Sequence, residues 1–299
     1  MRKIIIPILA LATAFSACGS ESAPEQAELP SVVVTTSIAG DMVTAALGDL
    51  VGSELTVDVI TPVGADAHEF APSAKQAETM ENADLLVVNG LGYEEGMTDL
   101  IANAVEAGAV VFVLGGALEP TEGVDPHVWL DPVLMSEVFA KFPEAVASTT
   151  GIPIAGVSTS TTAYVAELVE LDATITAAFA ALPDLERNLV TSHDALSRFA
   201  DRYGFTIVDT IIPSVSTSAG ASAADLDGVL EAIRTNDVGA IFSETTESDA
   251  LAQAISDELG RDVPVVELFT ESLGEPGTGA DTYIGMMSTN AQLIADALS

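Results

Sequence analysis

STSTTAYVAELVELDATITAAFAAL, Ser158 to Leu182, runs without a glycine or a proline, and Pro183 stops it. Its apolar residues recur at steps of three and four through Val165, Leu168, Val169, Ile175 and Phe179, which is the period of a helix with one buried face. At about 1.5 Å per residue such a helix would reach close to ~40 Å. Regular strand and helix patterns stand on either side of it, so it reads as a backbone helix between two lobes.

Before it, SVVVTTS from Ser31 and the runs Leu55–Ile60, Asp84–Val88 (DLLVV) and Ala109–Leu114 (AVVFVL) read as strands. Helical spacing fills the gaps at Ile38–Leu47, Ala74–Asn82 and Glu94–Glu106, with a further helix over Pro132–Ser148. After it, Asn188–Thr191, Phe205–Ile211, Ala240–Ser243 and Val263–Leu268 read as strands. The helices between and after them fall at Asp194–Tyr203, Ala223–Arg234, Ser248–Leu259 and Tyr283–Leu298. Strands alternating with helices imply parallel sheets covered on both faces. The expected fold is therefore α/β: two parallel-sheet lobes joined by one long connecting helix, with a cleft between them. The expected divisions are residues 31–156, 157–183 and 184–299.

In such sheets, ligand groups come from loops at the carboxyl ends of strands. The chain has 3 histidines, and each falls in a loop of that kind. His68 lies in TPVGADAHEFAPS, His193 directly follows NLVT, and His127 lies in DPHVWLDP, Asp125 to Pro132. The last stretch also holds the single tryptophan, Trp129, which reads as a core or cleft-wall residue. Its two Asp-Pro pairs keep the backbone extended, because a residue before proline is pushed out of the helical region. The expectation is that the three imidazoles converge on one metal ion in the cleft.

The formal net charge is −36, from 45 acidic and 9 basic residues. That argues against nucleic-acid partners, which need basic patches, and against docking on anionic lipid by charge. Most of the acidity reads as a solvated surface suited to a salty medium. No Gly-x-x-x-x-Gly-Lys, His-Glu-x-x-His or serine nucleophile elbow is present, so phosphate-loop, zincin and hydrolase chemistry find no support.

Residues 1–17 read as a secretory signal: Arg2 and Lys3, then an apolar run from Ile4 to Ala17. FSAC places small residues before Cys18, the layout of a bacterial lipoprotein signal, with Phe15 where a leucine is usual. Residues 18–30 would then be a lipidated cysteine and a flexible tether. Cys18 is the only cysteine, so a metal in the body must be held by nitrogen and oxygen.

These features together resemble the substrate-binding receptors of bacterial ABC importers for zinc and manganese, called cluster A-I or cluster 9 solute-binding proteins. The resemblance covers the body from about Val32 onward. It rests on Gly64, His68, Phe70 and Pro72; on DPHVWLDP; on SHDALSRFADRYGF, Ser192–Phe205; on ASAADLDGVLEAIRTNDVGAIFSE, Ala221–Glu244; and on DTYIGMMSTN, Asp281–Asn290. It implies four metal ligands, His68, His127, His193 and Asp281, with Glu244 behind one of them, orienting His193 or another ligand. It also implies a monomeric extracytoplasmic carrier that is not an enzyme. Such a carrier sits on the membrane through its lipid, or in the periplasm, and passes its ion to a permease. GGALEPTEGV, where many zinc receptors have a histidine-rich acidic loop, holds no histidine. Manganese receptors often have glutamate where this chain has His193.

Three imidazoles and a carboxylate suit four-coordinate Zn²⁺. Mn²⁺, a harder ion, takes more oxygen and is the alternative cargo. Asp281 separates carrier from enzyme: without it, three histidines and a water would resemble a secreted zinc enzyme. A surface adhesin on the same fold is a further reading. Each imidazole needs a partner for its other ring nitrogen, and Asp66, Asp125, Asp131 and Asp194 are candidates, Asp194 better as a helix cap. Met286 and Met287 read as packing residues.

Overall fold

In the computed structural model of the chain, residues 28–118, 124–183 and 187–299 are described. The expected signal, Cys18 and most of the tether lie outside them, as do the middle of GGALEPTEGV and the expected start of the second lobe at residue 184.

Two sheets of four parallel strands carry the chain. The first contains β1 (Ser31–Val34), β2 (Thr56–Val59), β3 (Leu85–Val88) and β4 (Val110–Val113), in the order β2-β1-β3-β4. The second contains β5 (Asn188–Thr191), β6 (Thr206–Thr210), β7 (Ile241–Glu244) and β8 (Val265–Leu268), in the order β6-β5-β7-β8. The same order in both halves confirms the expected repeat of architecture. In each, the order reverses at the first strand, and that is where such sheets open a crevice at their carboxyl ends.

The helices are α1 (Ser37–Leu47), α2 (Ala74–Glu81), α3 (Thr98–Ala107), α4 (Pro132–Phe139), α5 (Phe142–Thr150), α6 (Ile154–Ala178), α7 (Ser197–Tyr203), α8 (Ala223–Thr235), α9 (Ala250–Glu258) and α10 (Tyr283–Ala297). Their starts follow local chemistry. The Thr36 hydroxyl accepts the Ala39 N–H, and Ser73 with Gln76 and Ser222 with Asp225 form capping boxes. The single helix expected over Pro132–Ser148 is two, α4 and α5. Pro143 sits in the first turn of α5; it has no N–H to continue a helix, but tolerates a first turn.

The long helix starts earlier than expected, at Ile154, and its last α-helical residue is Ala178. Residues 179–182 continue in tighter bonds, Ala180 N–H to Ala177 O and Leu182 N–H to Phe179 O, as Pro183 disfavours helix in the residue before it. One side of α6 is buried through Val157, Thr161, Tyr164, Leu168, Leu171 and Ile175. It packs on α1, α4, α5 and α10. Leu168→Ala would cost ~2–5 kcal/mol by the usual measure of a core truncation.

Alternation along the strands divides the core. Val32, Val34, Leu85, Val87, Leu189 and Phe242 join α6 and α10 in one apolar cluster that runs through both lobes. Val33, Leu86 and Val88 point the other way into a small cluster of the first lobe; Val190 and Ile241 do so in the second. Met286 and Met287 are fully buried in the shared cluster, as packing residues.

Candidate metal centre

Four side chains meet between the carboxyl ends of the two sheets. His68 comes from the loop after β2, His127 from the loop after β4, and His193 from the turn after β5. The fourth is Glu271, three residues beyond the end of β8. One donor atom from each lies within 4.8 Å of all the others. His127 Nε2 is 3.4 Å from His68 Nε2 and 3.3 Å from His193 Nε2. Glu271 Oε1 is 3.4 Å from His127 Nε2 and 3.7 Å from His193 Nε2, and Oε2 is 4.0 Å from His68 Nε2. Bonds of ~2.0–2.1 Å to a tetrahedral Zn²⁺ would place donor atoms roughly 3.3–3.4 Å apart. The shorter separations already match that figure.

All four residues are buried, none more than 2% exposed. Glu271 Oε1 faces the imidazoles and meets no hydrogen-bond donor. Its other oxygen accepts the Tyr93 hydroxyl at 2.6 Å. Burial, then the Glu271 charge, raises the Tyr93 phenol well above its ordinary range, so it remains a donor. Burial also raises the Glu271 carboxyl, against the pull of the His127 and His193 charges.

The backbone around the site is fixed from both lobes. Gly64 takes a positive φ of 82° in the turn before His68, a conformation that favours glycine. Its N–H donates to Ser272 Oγ at 2.7 Å, beside Glu271. Trp129 is 3% exposed and its Nε1–H donates to Thr270 O at 2.8 Å. It packs against Tyr93 and His127, so it forms the cleft wall and braces the segment that carries Glu271. The Tyr283 hydroxyl donates to Trp129 O at 2.6 Å, tying α10 to the same floor.

The imidazoles differ in what stands behind Nδ1. His127 Nδ1 is 2.7 Å from Asp125 Oδ1, and His193 Nδ1 is 2.5 Å from Glu244 Oε1. Burial lowers the His193 pKa, but the hydrogen bond and charge of Glu244 outweigh it, and the result is a rise to about 9. His68 has no such bond. Burial, then repulsion from His127 and His193, lowers it to about 3.

The structure thus brings together His68, His127 and His193, with Glu244 beside His193. It does not bring Asp281. That residue is exposed, and its Oδ2 accepts the Gly277 N–H at 2.8 Å inside the glycine-rich loop. It braces a turn; Thr282, not Asp281, caps α10. The carboxylate that faces the three imidazoles is Glu271 and not the expected Asp281. A signal was available: in a parallel sheet, donors sit just past the strand ends, and FTES directly follows β8, whereas Asp281 lies far beyond it. Of the other nearby carboxylates, Asp131 caps α4 and Asp66 accepts the His68 backbone N–H at 2.8 Å. Asp194 accepts the Ser197 hydroxyl without capping α7.

The fold and the site define a class: two parallel-sheet lobes, spanned by one long helix, that close on four buried donor atoms. The chain belongs to the family described as zinc-uptake complex component A, periplasmic (ZnuA), whose model matches residues 32–297. It is 29% identical over 316 residues to the manganese-binding lipoprotein MntA of Halalkalibacterium halodurans, covering 100% of both chains. It is 30% identical over 303 residues to the zinc-binding protein TroA of Treponema pallidum, covering 97% of this chain and 96% of that one. The solved structure of the periplasmic zinc-binding protein TroA from Treponema pallidum superposes with a TM-score of 0.83 at 28% identity, covering 91% of this chain and 99% of that one.

Proposed function

We propose that this chain is an extracytoplasmic receptor that captures a divalent cation between its lobes and hands it to an ABC-type importer. The ligands would be His68, His127, His193 and Glu271, with Zn²⁺ the cargo that the donor set favours. The observation that carries the reading is the cluster itself: three imidazoles and a carboxylate, all buried, with one ligand atom from each within 4.8 Å of the others, and one Glu271 oxygen without a hydrogen-bond partner. A buried acceptor without a donor costs about 1–3 kcal/mol, and a cation at this point would satisfy it. Four protein donors leave no open position for a reacting water at a four-coordinate ion, which favours a carrier over a hydrolytic enzyme.

Manganese is the second reading. Both Glu271 oxygens lie near the imidazoles, Oε1 at 3.4 Å from His127 Nε2 and Oε2 at 4.0 Å from His68 Nε2; a carboxylate binding through both would add the oxygen that a harder ion prefers. MntA, named for manganese, and TroA, named for zinc, are similar to this chain to nearly the same degree. An anchor through a lipid on Cys18 would hold the receptor outside the membrane, in keeping with a relative named as a lipoprotein.

Calorimetric titration of chelator-stripped protein with Zn²⁺ and, separately, Mn²⁺ tests the proposal. Tight 1:1 binding of zinc, lost in His127→Ala, is expected. Binding of equal strength in His127→Ala would refute the site. Manganese binding tighter than zinc would reassign the cargo.

A further inference from the structure

Each imidazole of the cluster turns Nε2 inward, so each Nδ1 faces out and needs a partner of its own. Two have one. Asp125, 13% exposed at its side chain, stands behind His127; its Oδ1 also accepts the His127 backbone N–H at 2.9 Å. Glu244, 4% exposed at its side chain, stands behind His193. His68 is the exception. Its Nδ1 is buried and has no hydrogen-bond partner, and the nearest carboxylate oxygen, Glu95 Oε1, is 3.7 Å away.

Glu95 is placed for this imidazole by a close approach of two loops. It opens the short 3-10 turn Glu95–Met97. A Cβ on the next residue, Gly96, would lie 2.4 Å from Phe70 O, so only glycine lets the turn press on the loop that carries His68. The Glu95 side chain is 43% exposed. Its second oxygen accepts the Ser218 hydroxyl at 3.3 Å.

Ser218 belongs to the other lobe, in the polar loop between β6 and α8. Its neighbour Thr217 donates to Asp66 Oδ2 at 2.5 Å, and Asp66 Oδ1 holds the His68 backbone N–H at 2.8 Å. One serine- and threonine-rich loop of the second lobe thus grips both carboxylates that flank His68.

We propose that Glu95 is the positioning residue for His68, and that Thr217 and Ser218 make its support depend on the two lobes staying together. The proposal rests on the four-donor reading of the site. A cation on Nε2 makes the Nδ1–H a stronger donor, and a small rotation of the Glu95 carboxylate brings 3.7 Å into the ~2.7–3.2 Å range of a hydrogen bond. When the lobes part, Glu95 and Asp66 lose their cross-lobe hydroxyls. Glu95, already half in water, then swings away from His68. Asp125 also meets Arg198 of the second lobe, whose N–H donates to Oδ2 at 3.2 Å, but its grip on the His127 peptide lies within one loop and survives separation.

With 3 histidines in the chain, ¹⁵N-histidine NMR of the zinc-loaded full chain resolves each ring. Three slowly exchanging Nδ1–H signals are expected. Glu95→Ala should lose the His68 signal alone and release zinc to a chelator ~10–100-fold faster, the usual scale of an outer partner. Glu95→Gln, which keeps an acceptor oxygen, should restore part of both, and the melting temperature of the metal-free protein should not move. Thr217→Val with Ser218→Ala should speed release in the same direction by a smaller factor. Zinc held through three Nε2 atoms with only two Nδ1–H signals would overturn this proposal alone, as would a release rate unchanged in Glu95→Ala. Release unchanged in the Thr217→Val, Ser218→Ala pair would overturn the dependence on lobe closure. Zinc that binds without shifting any Nε2 would overturn the four-donor reading and this proposal with it.

Discussion

His68 and His193 are the same residue at the same depth, 2% and 0% exposed, one from each lobe, and they behave in opposite ways. Burial and two neighbouring imidazoles push His68 down to about 3. Burial pushes His193 down too, yet Glu244 behind its Nδ1 carries it up to about 9. Burial alone therefore does not set the charge of an imidazole in this cleft. What stands behind the outer ring nitrogen separates these two: Glu244 is buried and in contact with His193, whereas Glu95 is half-exposed and held off from His68.

The largest way to break this comparison is to remove a donor. His193→Ala should lower zinc affinity by more than the ~10–100-fold expected for an outer partner, and His68→Ala should do the same, measured by competition with a chelating dye. Equal affinity in either variant would remove that residue from the site.

Glu244→Gln sharpens the comparison next. It should cost ~10–100-fold in zinc affinity and lower the His193 pKa toward that of an ordinary histidine, read by NMR titration of the metal-free chain. A His193 still titrating near 9 would place the cause elsewhere.

A smaller effect is the proton that zinc displaces. His193, raised to about 9, is protonated at neutral pH and must lose its Nε2 proton to bind a cation. His68, lowered to about 3, is already neutral. Zinc binding near neutral pH should thus release a proton from His193 and none from His68, measured by calorimetry in buffers of different ionisation enthalpy. Affinity should rise with pH until about 9 and then level. The same shifts act on metal-free stability with opposite signs. The contribution of His193 is fully present below the ordinary histidine value near ~6.5 and is lost as pH rises through about 9. That of His68 is present above the ordinary value and is lost as pH falls toward about 3.

The smallest expected effect is that of Asp281→Asn. As an exposed turn acceptor it should change zinc affinity by no more than ~0.5 kcal/mol, the range of ordinary surface substitutions. A large loss would return Asp281 to the site.

Much of this was legible in the residues. The β-branched runs and their spacing mark the eight strands found among the described residues, because side-chain alternation and helix period are local properties. The three histidines were marked by rarity and by position after strands. The partner of His127 could be guessed, since Asp125 is two residues away. The partner of His193 came through family resemblance, since Glu244 is remote in sequence. Nothing local marks Glu271 among 45 acidic residues, none chemically distinct from another until the chain is folded. Asp281 opens the motif DTYIGMMSTN that carries the family resemblance, and the fold puts it at the surface.

The strands, the helices, the long connector and the rare imidazoles can be read from the residues, since each depends on positions within a few turns of one another. Which carboxylate faces the imidazoles, and which stands behind each ring, is set by the folded chain alone. Those depend on where distant loops cross. The segment after β8 passes under Trp129 and beside Gly64, and that crossing, which no local pattern records, turns one glutamate of many into the group that faces three histidines.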